Sequence, residues 1–227
     1  MYKYETHLHT AEGSSCATTP AAEMARAQKA AGYDGIFVTD HFFNSSTTVP
    51  RDLPWEQRID LYCKGYENAL EEGKKIGIDV FFGWEAGYCG TDFLIYGLDE
   101  SWLLTHPEVI EWSVDEQFYH ISRAGGLVVH AHPFREAPYL PRIQLYPDYV
   151  HAVEGINTGN AKREFNQKAV AYANKHGLPL TGGSDTHSAK LTGGGMLFAE
   201  PIRNEKDFVT AVLTRRKAQI LGADTCL

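Results

Sequence analysis

The feature of this sequence that most constrains its fold is the alternation of short apolar runs with helix-forming segments along the whole chain. Strands separated by helices favour right-handed βαβ units and a parallel sheet. We therefore predict an α/β protein whose parallel sheet closes into a barrel. Strands are expected at residues 2–9, 35–41, 78–82, 93–98, 127–133, 150–157, 178–181 and 218–221. Helices are expected at residues 21–31, 55–76, 114–124, 161–176 and 205–214.

Chain length and composition limit the possible domain organisation and partners. A length of 227 residues, without a Pro/Gly/Ser-rich linker, predicts a single domain over residues 1–227. The 29 acidic and 21 basic residues give a net charge of −8, which disfavours a nucleic-acid polymer or an anionic membrane surface as partner.

The sequence also predicts the cellular compartment of the protein. No stretch reaches the roughly 18 apolar residues of a spanning helix, and the first residues lack the apolar core of a signal peptide. The cysteines are scattered without a CxxC pair, as expected for reduced thiols. We expect a soluble cytoplasmic protein. The cysteines are Cys16, Cys63, Cys89 and Cys226.

Residue types that ligate metal ions follow five of the predicted strands. The carboxyl ends of parallel strands open on one face of a barrel, so these side chains are expected to converge. Imidazole and carboxylate groups without a cysteine quartet suit catalytic Zn²⁺, Fe or Mn²⁺, and their number implies two or three ions. The candidates are His7, His9, Asp40, His41, Glu85, His130, His132, Asp185 and His187.

The candidate ligands fall into five ordered motifs: His7-x-His9, Thr39-Asp40-His41, Glu85 after a glycine, His132-Pro133 after a Gly-Gly-apolar strand, and Gly183-Ser184-Asp185-x-His187. The order and spacing of these motifs resemble those of the PHP (polymerase and histidinol phosphatase) family over residues 1 to about 190. The resemblance implies a distorted seven-stranded (β/α)7 barrel that holds two or three divalent metals and hydrolyses phosphoesters.

The resemblance further implies how the metal ligands are shared. One ion would take His7, His9, Glu85 and Asp185. Glu85 would bridge to a second ion, which also takes His132. A third ion would take the remaining two imidazoles, those of His41 and His187.

Three further residues are candidate ligands. The family often has Asp or His shortly after the first motif, where this chain offers Glu12 as the preferred substitute and Cys16 as the alternative. Asp92 stands where the family often has a His before an apolar strand, and is either a ligand or a plain loop residue. By strand alternation, His130 faces the same side as His132, either as an extra ligand or as a hydrogen-bond donor to one.

Metal ions held in this way would lower the pKa of a bridging hydroxide that attacks phosphorus, without a protein nucleophile. Asp40 or His130 would then transfer a proton to the leaving group. Arg135, three residues after His132, would bind the phosphate, with Arg163 as second choice. We expect a small phosphomonoester as substrate.

Three other functions are considered. A metal-dependent nuclease or cyclic phosphodiesterase would use the same site, but it needs a basic groove that a net charge of −8 disfavours. A metal-binding module with a decayed site would explain the missing Asp or His after the first motif. An amidohydrolase-like barrel acting on C–N bonds would place a metal-bridging lysine at a strand end, where this sequence has none.

Overall fold

A computed structural model describes residues 1–138, 140, 142–190 and 193–226, and strands and helices alternate along it. The strands are β1 (Tyr2–Leu8), β2 (Gly35–Val38), β3 (Asp79–Gly87), β4 (Asp92–Tyr96), β5 (Leu127–Ala131), β6 (Ala152–Asn157), β7 (Leu180–Gly183), β8 (Met196–Phe198) and β9 (Ala218–Ile220). The helices are α1 (Ala21–Ala30), α2 (Trp55–Tyr62), α3 (Lys64–Ile76), α4 (Glu100–Leu104), α5 (Val114–Arg123), α6 (Arg163–His176), α7 (Glu205–Leu213) and α8 (Ala223–Cys226).

The sheet curls into a nearly closed barrel. The described strands follow the order β7-β6-β5-β4-β3-β2-β1-β8-β9. The end of β7 returns to the end of β1, where Leu8 pairs with Thr186 in parallel and the His9 N–H donates to the Thr186 carbonyl at 2.9 Å. The predicted seven-stranded barrel is confirmed in class, and β8 and β9 extend the sheet from the first half of β1.

Strand β4 runs antiparallel to both of its neighbours, which corrects the expectation of an all-parallel barrel. Asp92, the first residue of β4, lies opposite Gly87 of β3 and Ala131 of β5. Those two residues are the last of their strands. Because of the reversal, a residue at the start of β4 reaches the face formed by the carboxyl ends of the parallel strands.

The helix predicted over residues 55–76 is divided into α2 and α3 at Cys63. Just after this division, Gly65 packs against the residues that follow β1 and β2. A Cβ atom on Gly65 would lie 2.3 Å from Thr10 Oγ1 and 2.6 Å from Asp40 Oδ2. The glycine therefore allows α3 to approach the loops that carry the candidate ligands.

Aromatic rings fill the part of the core around Phe37 on β2. Its ring centroid lies 4.8 Å from that of Phe81, 4.5 Å from that of Phe208 and 5.3 Å from that of Tyr96.

Among the residues described above, no helix is both long and apolar enough to cross a membrane.

Replacing Phe37 by alanine tests this packing. Phe37→Ala should lower the free energy of unfolding by about 3–5 kcal/mol, because it leaves a cavity in a buried cluster. The measurement is urea denaturation. Tyr119→Ala, at a side chain that is 54% exposed, should change the free energy by less than about 0.5 kcal/mol. Equal losses in the two variants would contradict the packing described here.

Candidate metal centre

Glu85 lies at the centre of the cluster of metal-ligand side chains, and it is almost fully buried. Its Oε1 atom is 3.3 Å from His7 Nε2 and 3.2 Å from His132 Nε2. Its Oε2 atom is 2.8 Å from His41 Nδ1 and 3.5 Å from His9 Nε2. One carboxylate thus contacts four imidazoles, an arrangement suited to bridging between cations.

Asp185 is the second carboxylate of the cluster. Its Oδ1 atom is 3.0 Å from His9 Nε2 and 3.3 Å from His7 Nε2. The same oxygen is 3.5 Å from His187 Nδ1. The order of motifs therefore brings all seven predicted residues of the three-ion scheme together, namely His7, His9, His41, Glu85, His132, Asp185 and His187.

Two of these residues adopt backbone conformations that L-amino acids rarely take. His132 has a φ of 27° and directly follows the end of β5. Asp185 has a φ of 55° and lies two residues after the end of β7. Strained backbone of this kind clusters at functional sites, where it re-aims a side chain. Here the His132 imidazole lies against Glu85, and the Asp185 carboxylate lies against His7 and His9.

The donor set fits divalent metal ions. Ligand atoms lie within 4.8 Å of one another in three overlapping groups: His7 with Glu85 and His132, His7 with His9 and Asp185, and His9 with His41 and His187. Glu85 Oε2 and Asp185 Oδ1 are buried, and within the described part of the chain the nearby imidazole nitrogens do not reach them with good hydrogen-bond geometry. Buried carboxylate oxygens are rarely left without donors, so both oxygens are suited to receiving a cation.

The carboxylates and imidazoles of the cluster shift one another's pKa values. Burial alone would raise the pKa of Glu85, but His7 and His41 hold that pKa well below its usual value. Burial would lower the pKa of His41, yet Glu85 raises it to about 11. Burial, together with nearby His41, lowers the pKa of His9 to about 3. A bound cation would replace the protons drawn onto the imidazoles.

Glu154, in the middle of β6, orients two of the imidazole-bearing residues. Its Oε1 atom lies 2.9 Å from His7 Nδ1, which leaves His7 Nε2 facing Glu85. Its Oε2 atom accepts hydrogen bonds from the His132 N–H at 3.0 Å and from Asn157 Nδ2 at 2.9 Å. Glu154 is absent from the residues predicted from sequence, although an acidic residue inside a buried strand was an available signal.

Asp40 orients His9 and does not line the cavity. Its carboxylate accepts hydrogen bonds from the Thr10 N–H at 2.6 Å and from the Ser14 hydroxyl at 2.7 Å. Since Ser14 gives its only proton to Asp40, its oxygen accepts from His9 Nδ1 at 3.0 Å and from the His41 N–H at 2.9 Å. His9 Nε2 is thereby left unprotonated toward Asp185. The structure does not support the proton-transfer role predicted for Asp40.

His130 likewise lies outside the three ligand groups. Its Nε2 atom is 2.9 Å from Thr91 Oγ1, and its ring stacks on Phe93 with centroids 5.1 Å apart. His130 does not face the same side as His132, because β5 ends at Ala131 and His132 then takes a left-handed conformation. His130 is therefore placed in the core and not as an extra ligand.

Glu12 points away from the cluster. Its Oε2 atom accepts a hydrogen bond from the Ala21 N–H at 2.9 Å, at the start of α1, and its Oε1 atom accepts from Asn68 Nδ2 at 3.1 Å. The alternative candidate, Cys16, lines the cavity beside the cluster. Asp92 lines the same cavity, where burial and the nearby Glu85 carboxylate raise its pKa to about 6.

The cavity over the cluster has a volume of about 430 Å³, within the range of small-molecule sites. Arg135 forms part of its wall. The Arg135 Nε atom donates to Asn160 Oδ1 at 2.9 Å, Nη2 donates to Asn157 Oδ1 at 3.1 Å, and Nη1 pairs with Asp185. Arg163 is exposed at the start of α6 and does not line this cavity. The structure thus brings the first-choice arginine to the site and leaves out the second.

Known proteins resemble this chain in part of its sequence and in its fold. A family model described as PHP-associated matches residues 163–216, and no curated protein matches the sequence. A two-domain protein from Bacteroides vulgatus, containing a predicted PHP-like metal-dependent phosphoesterase, has a similar structure with a TM-score of 0.64 and 16% identity. The similarity covers 97% of this chain but only 65% of that protein.

Two further solved structures share the fold. A proposed metal-dependent phosphoesterase from Bifidobacterium adolescentis has a TM-score of 0.60 and 16% identity, over 95% of this chain and 97% of its own. An amidohydrolase from Chromobacterium violaceum, with bound sulfate and no metal, has a TM-score of 0.55 and 14% identity, over 82% and 88%. The fold is thus that of PHP-like proteins.

Proposed function

We propose that this chain is a metal-dependent phosphoesterase that hydrolyses a small phosphomonoester. The observation that carries the proposal is the convergence of five imidazoles and two carboxylates beneath a cavity with an arginine on its wall. Solved structures of the same fold include proteins described as metal-dependent phosphoesterases. Seven ligands exceed what one ion can use, so we expect two or three ions.

The three overlapping groups of ligands would together hold these ions. Glu85 and Asp185 supply the negative charge that neutralises the cations, and the imidazoles complete their coordination. When bound, ions such as Zn²⁺, Mn²⁺ or Fe²⁺ would lower the pKa of a water molecule and offset the charge of the phosphate. Glu154 and Ser14 keep the His7 and His9 rings turned so that Nε2 faces inward.

Arg135 is the residue that would bind the phosphate. Asn157 and Asn160 hold its guanidinium through Nη2 and Nε, so the group is oriented before substrate arrives. An oriented guanidinium binds phosphate oxygens with charge-assisted hydrogen bonds. Small polar side chains, Asn44, Ser45 and Ser46, also line the cavity and suit a polar leaving group. Neither Asp40 nor His130 lines the cavity, so no proton transfer is assigned to them.

A phosphate-release screen tests the proposal. Protein loaded with Mn²⁺ or Zn²⁺ would be offered phosphomonoesters of amino alcohols, nucleosides and sugars, alongside single-stranded DNA, a cyclic phosphodiester and an amide substrate. We expect metal-dependent phosphate release from at least one monoester. Cleavage of DNA, of the cyclic diester or of the amide alone would favour the nuclease, the phosphodiesterase or the amidohydrolase function. Metal binding without turnover on any substrate would indicate a metal-binding module.

Arginine variants test the phosphate-binding role. Arg135→Ala should raise KM by about 10- to 100-fold, because a hydrogen bond to a charged group contributes about 1.5–3 kcal/mol. Metal content should change little. The control is Arg163→Ala, which removes an exposed arginine outside the cavity and should leave KM unchanged. An unchanged KM in Arg135→Ala would remove Arg135 from the phosphate site.

A further inference from the structure

The loop after β1 places a cysteine at the outer side of the cluster. Cys16 lines the cavity together with His41 and His187. The His9 ring lies against both imidazoles, with its centroid 4.4 Å from that of His41 and 4.2 Å from that of His187. One sulfur atom and three imidazoles therefore share this side of the cavity.

Backbone hydrogen bonds hold Cys16 in this position. On one side of it, the Ser15 N–H donates to the Ser46 carbonyl at 2.8 Å, which ties the loop to the segment after His41. On the other side, the Thr18 N–H donates to the His187 carbonyl at 2.8 Å. The sulfur is thus held between the segments that carry the two imidazoles.

Other polar groups on the loop are engaged elsewhere. Glu12 accepts a hydrogen bond from the Ala21 N–H at the start of α1, and the Ser14 hydroxyl donates to Asp40. Two buried carboxylate oxygens, which no described donor reaches with good hydrogen-bond geometry, face the same imidazoles. Glu85 Oε2 is 2.8 Å from His41 Nδ1, and Asp185 Oδ1 is 3.5 Å from His187 Nδ1. These oxygens indicate that a cation belongs beside the thiol.

We infer that Cys16 is a metal ligand, and that it completes a site for the outermost ion with His41 and His187. The inference rests on the metal-binding part of the proposed function. On binding, the thiol loses its proton to solvent and the thiolate sulfur bonds to the cation. Thiolate and imidazole ligands select Zn²⁺ or Co²⁺ over Mn²⁺, so this position should differ in metal preference from those built on Glu85 and Asp185.

Cobalt spectroscopy on the full-length chain tests the inference. Metal-free protein would be titrated with Co²⁺ alone, and its near-ultraviolet absorption and cobalt content would be measured. The wild-type protein should show a sulfur-to-cobalt charge-transfer band. Cys16→Ser should lose that band and bind about one ion fewer per chain. Cys89→Ser, which removes another exposed thiol of the same cavity, should keep both.

Thiol protection gives a second readout on the unaltered protein. Zn²⁺ should slow alkylation of Cys16 by iodoacetamide at least about tenfold, while Cys89 stays reactive, as measured by peptide mass spectrometry. Equal protection of both thiols, or full cobalt content in Cys16→Ser, overturns the inference but leaves the proposed function standing. Failure of the wild-type protein to bind any divalent ion overturns both.

Discussion

Glu85→Gln is expected to remove metal binding and hydrolysis together. The glutamate contacts four imidazoles through its two oxygens, at 2.8 Å to His41, 3.2 Å to His132 and 3.3 Å to His7, with His9 at 3.5 Å. Glutamine keeps the shape but has no negative charge, and its NH₂ group cannot ligate a cation. One of the two oxygens that would hold cations is therefore lost, along with the negative charge that would stabilise them.

The loss in kcat/KM should be at least about a thousandfold, because metal ions stabilise a phosphoryl-transfer transition state by several kcal/mol. Elemental analysis should show at least one ion fewer per chain, and phosphate release should not return when metal is added. Glu12→Gln is the matched control, since Glu12 caps α1 and should leave metal content unchanged. Full turnover by Glu85→Gln would exclude a bridging role.

The convergence of the metal-ligand side chains could be predicted from the sequence, because parallel strands place their carboxyl ends on one face of the barrel. His7, Glu85 and Asp185 are far apart in sequence, yet each lies within two residues of the carboxyl end of a strand. His7 Nε2 is 3.3 Å from Glu85 Oε1 and 3.3 Å from Asp185 Oδ1. The fold class followed from the same alternation. These features depend on topology, which a sequence pattern records well.

The direction of β4 was missed although a signal existed. Only four residues separate the end of β3 at Gly87 from the start of β4 at Asp92. A parallel crossover needs a dozen or more residues, so such a short connection requires an antiparallel pair. The apolar run of β4 has the same pattern in either direction, and only the length of the connection distinguishes them.

The direction of individual side chains was harder to predict. Glu12 and Cys16 lie on the same loop, but the free N–H groups at the start of α1 bind the carboxylate and leave the thiol at the cavity. His130 was misplaced because the left-handed turn at His132 ends the alternation. Local backbone geometry decides both cases, and spacing in the sequence does not record it.

Glu154 is the residue whose importance becomes visible only in the structure, and Glu154→Gln should weaken divalent metal binding by about 10- to 100-fold. Its carboxylate receives hydrogen bonds from three buried donors, His7 Nδ1, the His132 N–H and Asn157 Nδ2. Glutamine offers one oxygen and places an NH₂ group against the remaining donors. At least one donor then loses its partner, and the His7 ring is no longer fixed with Nε2 toward Glu85.

Metal titration of the full chain, followed by measurement of kcat at saturating metal, would separate positioning from ligation. Because Glu154 holds ligands without being one, added metal should restore most of kcat in Glu154→Gln but not in Glu85→Gln. Glu164→Gln, which removes an exposed carboxylate paired with Lys168 on α6, should leave metal affinity unchanged. An unchanged affinity in Glu154→Gln would contradict the positioning role, and a kcat that no metal concentration restores would indicate that Glu154 acts on the ions directly.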